Sequence, residues 1–225
     1  WNPAKQQLFC ARDRFGIKPF HYLRGPNGEF TFASEIKAIL PFIPQPEIDE
    51  AGLQDYFTFQ FCLDGRTLFK DIHEIPAAHT LTCDASGIRL RRYWEEQYEV
   101  DWSRTEHWFE GEIARLLDES VRLHLRSDVP VGAYVSGGID STGIAGLAQH
   151  LGHEVLYGFN GRFDCGADFD ESRYARDAAA KSGYELIDRT MSEDDFVSSI
   201  EKVMYHLDVP MAGPGSLPQY LISEE

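Results

Sequence analysis

The chain has 225 residues, 43% hydrophobic and 26% charged, which is the composition of one or two folded domains with a real core and not of a disordered chain. Its 21 Lys and Arg against 37 Asp and Glu leave a net charge of −16, which argues against duplex nucleic acid or an anionic membrane surface as a partner. No apolar run approaches the roughly 20 residues of a membrane span, and Cys10, Cys62, Cys83 and Cys165 form no CxxC pair, the pattern of reduced thiols in a cytoplasmic protein.

The first stretch reads as short strands. Gln7-Leu-Phe-Cys-Ala-Arg12 and Pro19-Phe-His-Tyr-Leu23 flank an Asp13-Arg-Phe-Gly16 turn, and Phe30-Thr-Phe-Ala33 follows the Gly25-Pro-Asn-Gly28 turn, an antiparallel meander by pattern. Ser34 precedes a short helix, Glu35-Ile-Lys-Ala-Ile-Leu40, that Pro41 ends. Asp49 is the N-cap of a helix carrying Leu53, Tyr56 and Phe57, and Phe57, Phe59, Phe61 and Phe69 read as core. Thr80-Leu-Thr-Cys83 and Ile88-Arg-Leu-Arg-Arg-Tyr93 flank Asp84-Ala-Ser-Gly87 as a hairpin. Arg89, Arg91 and Arg92 make a solvated strand face or an interdomain contact.

Residues 96–104 are polar without a clear period and form the expected linker, with one domain over residues 1–95 and another over 105–225. Phe109, Ile113, Leu116, Leu117, Val121 and Leu125 then recur at helical spacing. Strands and helices alternate from there: strand Gly132-Ala-Tyr-Val135, a helix after Ser141 to about His150, strand 155–159, helix 171–182, strand 185–188, and a helix capped by Ser192 and running to His206. Such alternation implies crossover units on a parallel sheet.

Val135-Ser-Gly-Gly-Ile-Asp-Ser141 sits where the first of these strands passes into its helix. Two glycines let the backbone turn tightly and let an anion approach. Ser136 and Ser141 offer hydroxyls, and the helix start adds free N–H groups and a positive dipole end. This is a pyrophosphate cradle; the bland alternative is a glycine turn joining any strand to any helix. GxxxxGK[ST] and GxGxxG are both absent from the loop. Without a P-loop lysine, cleavage between the α and β phosphates suits the loop better than γ-phosphoryl transfer.

Arg126-Ser-Asp-Val-Pro-Val-Gly-Ala-Tyr-Val-Ser-Gly-Gly-Ile-Asp-Ser141 resembles the start of the synthetase domain of glutamine-hydrolysing asparagine synthetases. Ala11-Arg-Asp-Arg-Phe-Gly-Ile-Lys-Pro19, Phe32-Ala-Ser-Glu-Ile-Lys-Ala38, Leu68-Phe-Lys-Asp-Ile-His-Glu-Ile-Pro76 and Arg92-Tyr-Trp94 resemble the later part of that family's glutaminase domain. Asp170-Glu-Ser-Arg-Tyr-Ala175 and Tyr205-His-Leu-Asp208 fit the same order. The resemblance implies an α/β and α+β architecture. Part of an N-terminal-nucleophile αββα sandwich that hydrolyses glutamine is followed by part of a pyrophosphate-loop ATPase domain. The second domain would use ATP and Mg²⁺ to adenylate aspartate, and ammonia would attack the acyl-adenylate, a path kept from bulk water. The small-molecule partners implied are aspartate, glutamine and ATP, with no nucleic acid and no membrane, in a cytoplasmic homodimer.

Carried over residue by residue, Ser136, Gly137, Gly138, Asp140 and Ser141 match the family's pyrophosphate loop, Val135 a nucleotide-contacting position, and Gly161 the adenine side at the end of the next strand. Asp140, the catalytic candidate, serves either to position Mg²⁺ or to hold the loop. Two departures stand out. The family often has DEPxADPS where this chain has Asp208-Val-Pro-Met-Ala-Gly-Pro-Gly-Ser216, and Pro76-Ala-Ala-His79 lacks the glycine usual in that turn. β-Lactam synthetases share the loop but activate other carboxylates. A nucleotide-binding module without chemistry is the reading from another class. The nucleophile of such enzymes is an N-terminal Cys whose own amine is the base; Trp1 is not one, and Cys10 reads as a buried thiol inside a strand. With Gln219-Tyr-Leu-Ile-Ser-Glu-Glu225 as an uncapped amphipathic helix, the expectation is an internal piece of a longer protein. The nucleophile would then lie before Trp1 and a second ATP-site signature after Glu225. His150 with His153 reads as a solvated helix end, and Asp164, Asp168, Asp170 and Glu171 either face Mg-ATP or form a solvated, capping loop.

Overall fold

The computed structural model describes residues 1–152, 156–163, 170–210, 213 and 215–224. His153, Asp164, Cys165 and Asp168 lie outside the described residues. The chain is mixed α/β and divides into two units: Trp1–Glu99 with Asp208–Ala212, and Val100–Leu207 with Gly213–Glu225.

In the first unit the expected meander is corrected. Strand β1 (Leu8–Ala11) passes by its sequence neighbour β2 (His21–Arg24) and pairs antiparallel with β5 (His79–Asp84), which also carries β6 (Gly87–Arg92). β2 lies between β3 (Phe30–Ala33) and β4 (Ile72–Glu74) in a second antiparallel sheet. The link between β1 and β2 is a wide loop and not a hairpin turn, because two charged residues organise it. The Asp13 carboxylate accepts from the amides of Phe15, Ile17 and Lys18 at 3.2, 3.0 and 3.0 Å. The Arg12 guanidinium donates to the carbonyls of Gly16, Lys18 and Ile75 and pairs with Glu74 at 2.7 Å. Cys10, Tyr22, Ile75 and Leu81, drawn from both sheets, share one buried cluster. A second cluster of Leu23, Ile36, Ile39 and Ile72 forms on the other side of β2, as strand alternation requires.

The helix expected at Glu35–Leu40 is instead two 3-10 turns, Ile36–Ala38 and Leu40–Phe42, with Pro41 inside the second. Proline is tolerated in a first turn, where its missing N–H has no partner to lose. Ser34 caps neither turn. The first is capped from far along the chain: the Asp208 carboxylate, 9% exposed, accepts from the amides of Ile36 at 2.6 Å and Lys37 at 3.2 Å and pairs with Lys37 Nζ at 3.0 Å. Helix α1 (Glu50–Phe59) is capped by Asp49, which accepts from Gly52 at 2.7 Å. Phe57, Phe59 and Phe61 are 79, 49 and 59% exposed, so their assignment to the core is corrected; Phe69 does pack against the Leu23 cluster. Ala78 adopts φ +59°, a left-handed conformation that glycine takes at less cost.

The second unit opens with α2 (Glu106–His124), capped by Thr105, which accepts from the Trp108 amide at 3.2 Å. Then follow β7 (Gly132–Tyr134), α3 (Ile139–His150), β8 (Tyr157–Phe163), α4 (Ser172–Ser182), β9 (Glu185–Met191), α5 (Glu193–Leu207) and α6 (Ser216–Ile222). β7, β8 and β9 are parallel neighbours in that order, with Tyr134 opposite Phe159 and Phe159 opposite Ile187. Ser192 and Asp195 exchange the two bonds of a capping box at the start of α5, at 2.8 and 3.2 Å. Helices α2, α3 and α4 contribute Val121, Ala145, Ala148, Ala175 and Ala179 to one core with Val135, Leu156 and Tyr184. Ala133 packs on that core, so its neighbour Tyr134 faces the other side of the sheet, where its hydroxyl bonds Ser223 just after α6 at 2.7 Å. Among the described residues no helix is long and apolar enough to cross a membrane.

Candidate functional site

The loop between β7 and α3 begins on a fixed point. Val135 is 1% exposed, and its amide donates to the Phe159 carbonyl at 2.8 Å, so the sheet bond continues to the edge of the loop. Beyond it the two serines tie the turn to itself. The Ser141 hydroxyl accepts from the Ser136 amide at 3.1 Å and lies 3.1 Å from the Ser136 hydroxyl and 3.2 Å from the Gly138 carbonyl. Thr142 Oγ1 donates to the same carbonyl at 2.8 Å.

Gly137 has φ +87°, and a Cβ there would lie 2.6 Å from the Glu171 carbonyl, 3.3 Å from Tyr174 Cβ and 3.4 Å from the Ala175 amide. Both the conformation and the space exclude a side chain. Gly138 is the residue before α3 and provides no side-chain cap. Helix α3 starts at Ile139, three residues earlier than the pattern suggests, so Asp140 and Ser141 stand in its first turn. Among the described residues the amides of Gly137, Ile139, Asp140 and Ser141 have no acceptor. The result is a cradle of unsatisfied donors at a positive helix end, the donor set an anion such as a phosphate group requires.

Asp140 is exposed, and among the described residues its carboxylate makes no hydrogen bond or ion pair. Its free carboxylate is the group in the loop that could hold a divalent cation alongside a bound phosphate chain. Among the described residues no cluster of three or more His, Cys, Asp and Glu is placed to hold a metal ion. A cavity of about 590 Å³ opens beside Asp140 and Ser141, walled by α2 and β7 through His124, Leu125 and Ala133 and by Ile144 of α3.

Gly161 lies inside β8, which runs on to Phe163. A Cβ on it would meet Ile222 Cδ1 at 2.6 Å and Met191 Cε at 2.8 Å. Its missing side chain therefore has a packing cause, the close seat of α6. Two partners of the loop have no signature in the sequence: Phe159, opposite the last residue of β7, and the first turn of α4 pressed on Gly137. At that turn Asp170 accepts from the Ser172 amide at 2.9 Å and pairs with Arg162 at 3.4 Å, so the described part of the acidic cluster caps a helix. The Asp208 carboxylate, in turn, is occupied in the first unit.

A parallel sheet whose first strand delivers a serine–glycine turn to a helix N-terminus is a unit whose free donors suit an anion. The comparisons carry this further. The asparagine synthase family model matches residues 112–225, and a glutamine amidotransferase domain model matches residues 1–94; the chain belongs to the asparagine synthase family. It is 33% identical over its whole length to asparagine synthetase [glutamine-hydrolyzing] 1 of Bacillus subtilis and spans 35% of that protein. It is 30% identical, again over its whole length, to a putative asparagine synthetase [glutamine-hydrolyzing] 2 of Methanocaldococcus jannaschii, spanning 44% of it. It is 31% identical to the amidase chry2 of Gibberella zeae, spanning 35%.

Proposed function

We propose that the protein containing this chain makes an amide from aspartate, glutamine and ATP, releasing asparagine, glutamate, AMP and pyrophosphate. The observation that carries the reading is the cradle of free amides at Gly137, Ile139, Asp140 and Ser141 on a turn that admits no side chain. The second unit is then part of a pyrophosphate-loop ATPase fold, and the first part of an N-terminal-nucleophile sandwich.

The chain's own residues account for the binding half of the chemistry. The loop amides bind the β and γ phosphates and stabilise the charge that grows on pyrophosphate as the acceptor carboxylate attacks the α phosphorus. Asp140 would hold Mg²⁺, and the ion would supply charge neutralisation. The Ser136–Ser141 pair keeps the turn in shape before substrate arrives. Val135 and Phe159, joined by a backbone bond, form the floor at the nucleoside end.

The Cys10 and Cys62 thiols are not activated for splitting glutamine. Burial pushes the Cys10 thiol up, with Cys83 adding to the effect. Burial together with Asp55 and Asp49 raises that of Cys62. A raised thiol is a poor nucleophile near neutral pH, so glutamine hydrolysis is assigned to the full-length protein.

The test is pyrophosphate release by that protein with aspartate, for the natural chain and for Asp140→Ala. Aspartate-dependent release is expected from the natural chain. Asp140→Ala should abolish it and leave glutamine hydrolysis measurable. Equal loss of both activities would make Asp140 a structural residue. A second reading, another acceptor acid, is favoured by two observations: Val209 follows Asp208 where the family has Glu, and some relatives carry amidase names. Release driven by a different carboxylic acid and not by aspartate selects it.

A further inference from the structure

The first turn of α4 is fixed and faces the loop. Ser172 and Ala175 are 2 and 0% exposed, which anchors the turn from below. Gly137 rests on it through Glu171 and Tyr174. Tyr174, the aromatic residue of this turn, is 62% exposed. Among the described residues its phenol makes no hydrogen bond and its ring meets no other ring. Helical side chains lean toward the N-terminus of their helix, which carries this ring to the end of α4 that abuts the loop.

A tyrosine displayed in this way covers no core and satisfies no protein group. It does offer one O–H donor and one apolar face beside four unfilled amides. The loop also lacks the lysine with which other phosphate loops reach an outer phosphate, so a further donor on its open side has a chemical use. We propose that Tyr174 is a ligand-contacting residue of this loop. Its hydroxyl donates to a non-bridging oxygen of the bound triphosphate, and of pyrophosphate after cleavage, while its ring shields that side of the phosphate chain from water. The ligand class is a nucleoside triphosphate, and the proposal rests on the reading of the loop as an ATP site.

Tyr174→Phe removes the hydroxyl and keeps the ring; Tyr174→Ala removes both. The full-length protein and both variants are titrated calorimetrically with inorganic pyrophosphate and with Mg-ATP, and each is melted as a check of folding. Hydrogen bonds to charged groups are strong ones, so the expected result is a loss of about tenfold in affinity for both ligands in Tyr174→Phe. A larger loss is expected in Tyr174→Ala, with melting temperatures unchanged because the side chain is exposed. Binding to Tyr174→Phe equal to that of the natural protein overturns the proposal, whatever Tyr174→Ala does. Failure of the natural protein to bind either ligand overturns the ATP reading itself, a result separate from any effect of the variants.

Discussion

Two loops of this chain gather backbone amides around a point, and they differ in what sits there. In residues 13–18 of the first unit the amides of Phe15, Ile17 and Lys18 converge on the chain's own Asp13 carboxylate. In residues 136–141 of the second, the amides of Gly137, Ile139, Asp140 and Ser141 meet no acceptor among the described residues, and the Asp140 carboxylate makes no hydrogen bond or ion pair among them. Amides without acceptors cost stability unless water or a ligand satisfies them. The filled loop is thus a structural device that sets the path from β1 to β2. On the proposed reading, the unfilled one is a binding device whose acceptor comes from outside. The motif letters alone do not separate the two cases; the occupancy of the donors does.

The strongest break in this contrast is Gly137→Ala. The left-handed backbone and the 2.6 Å approach of the Glu171 carbonyl leave a methyl group no place, and such strain costs about 1–3 kcal/mol. The expected outcome is a second unit destabilised by that amount in denaturant titration and ATP affinity reduced at least tenfold. Full stability with natural affinity would mean that the loop opens away from α4 without loss, and that the cradle is not preformed.

Much of this contrast was legible in the sequence, because Ser136–Ser141 is a local motif whose chemistry needs only its own residues and the helix that follows. What was not legible depends on distant partners. β8 continues past Phe159 because β9 pairs with it as far as Met191, so a strand read as ending at 159 stops short of Phe163. The turn at Ile36 is capped by Asp208, 172 residues away, so the local cap at Ser34 had a competitor that no window of sequence contains. Phe57, Phe59 and Phe61 have core composition but stand exposed, because apolarity alone does not say which side of a helix end meets a partner. The Asp49 cap, the Ser192 cap and the buried Cys10, all decided within a few residues, agree with the structure.

Asp13→Asn tests the filled loop, with a smaller expected effect. The amides of Lys18 and Ile17 hold the Asp13 carboxyl below the usual carboxylate range. A depressed folded value means that the group stabilises the protein above its unfolded pKa of about 3.9 and loses that contribution as the pH falls through the folded value. The melting temperature of the first unit should therefore fall by several degrees in Asp13→Asn at pH 7. The gap between natural protein and variant should close as both are acidified below pH 4. Nucleotide binding should be unchanged. A constant gap down to the lowest pH would show that the oxygen positions matter and the charge does not.

Ser141→Ala is the smallest and the most discriminating change, because it removes the internal tie of the unfilled loop and leaves its amides in place. The Ser141 hydroxyl accepts from the Ser136 amide and bridges toward Gly138. Its loss frees one more donor and loosens a turn whose hydrogen bonds are solvent-exposed. A hydrogen bond of this kind contributes about 0.5–1.5 kcal/mol, so ATP affinity should drop by roughly 2- to 12-fold with the melting temperature nearly unchanged. A loss of stability with affinity intact would place Ser141 beside Asp13, as a residue that fills its own loop. A loss of affinity alone keeps it on the side of the ligand, because a preformed cradle raises affinity by lowering the ordering cost of binding.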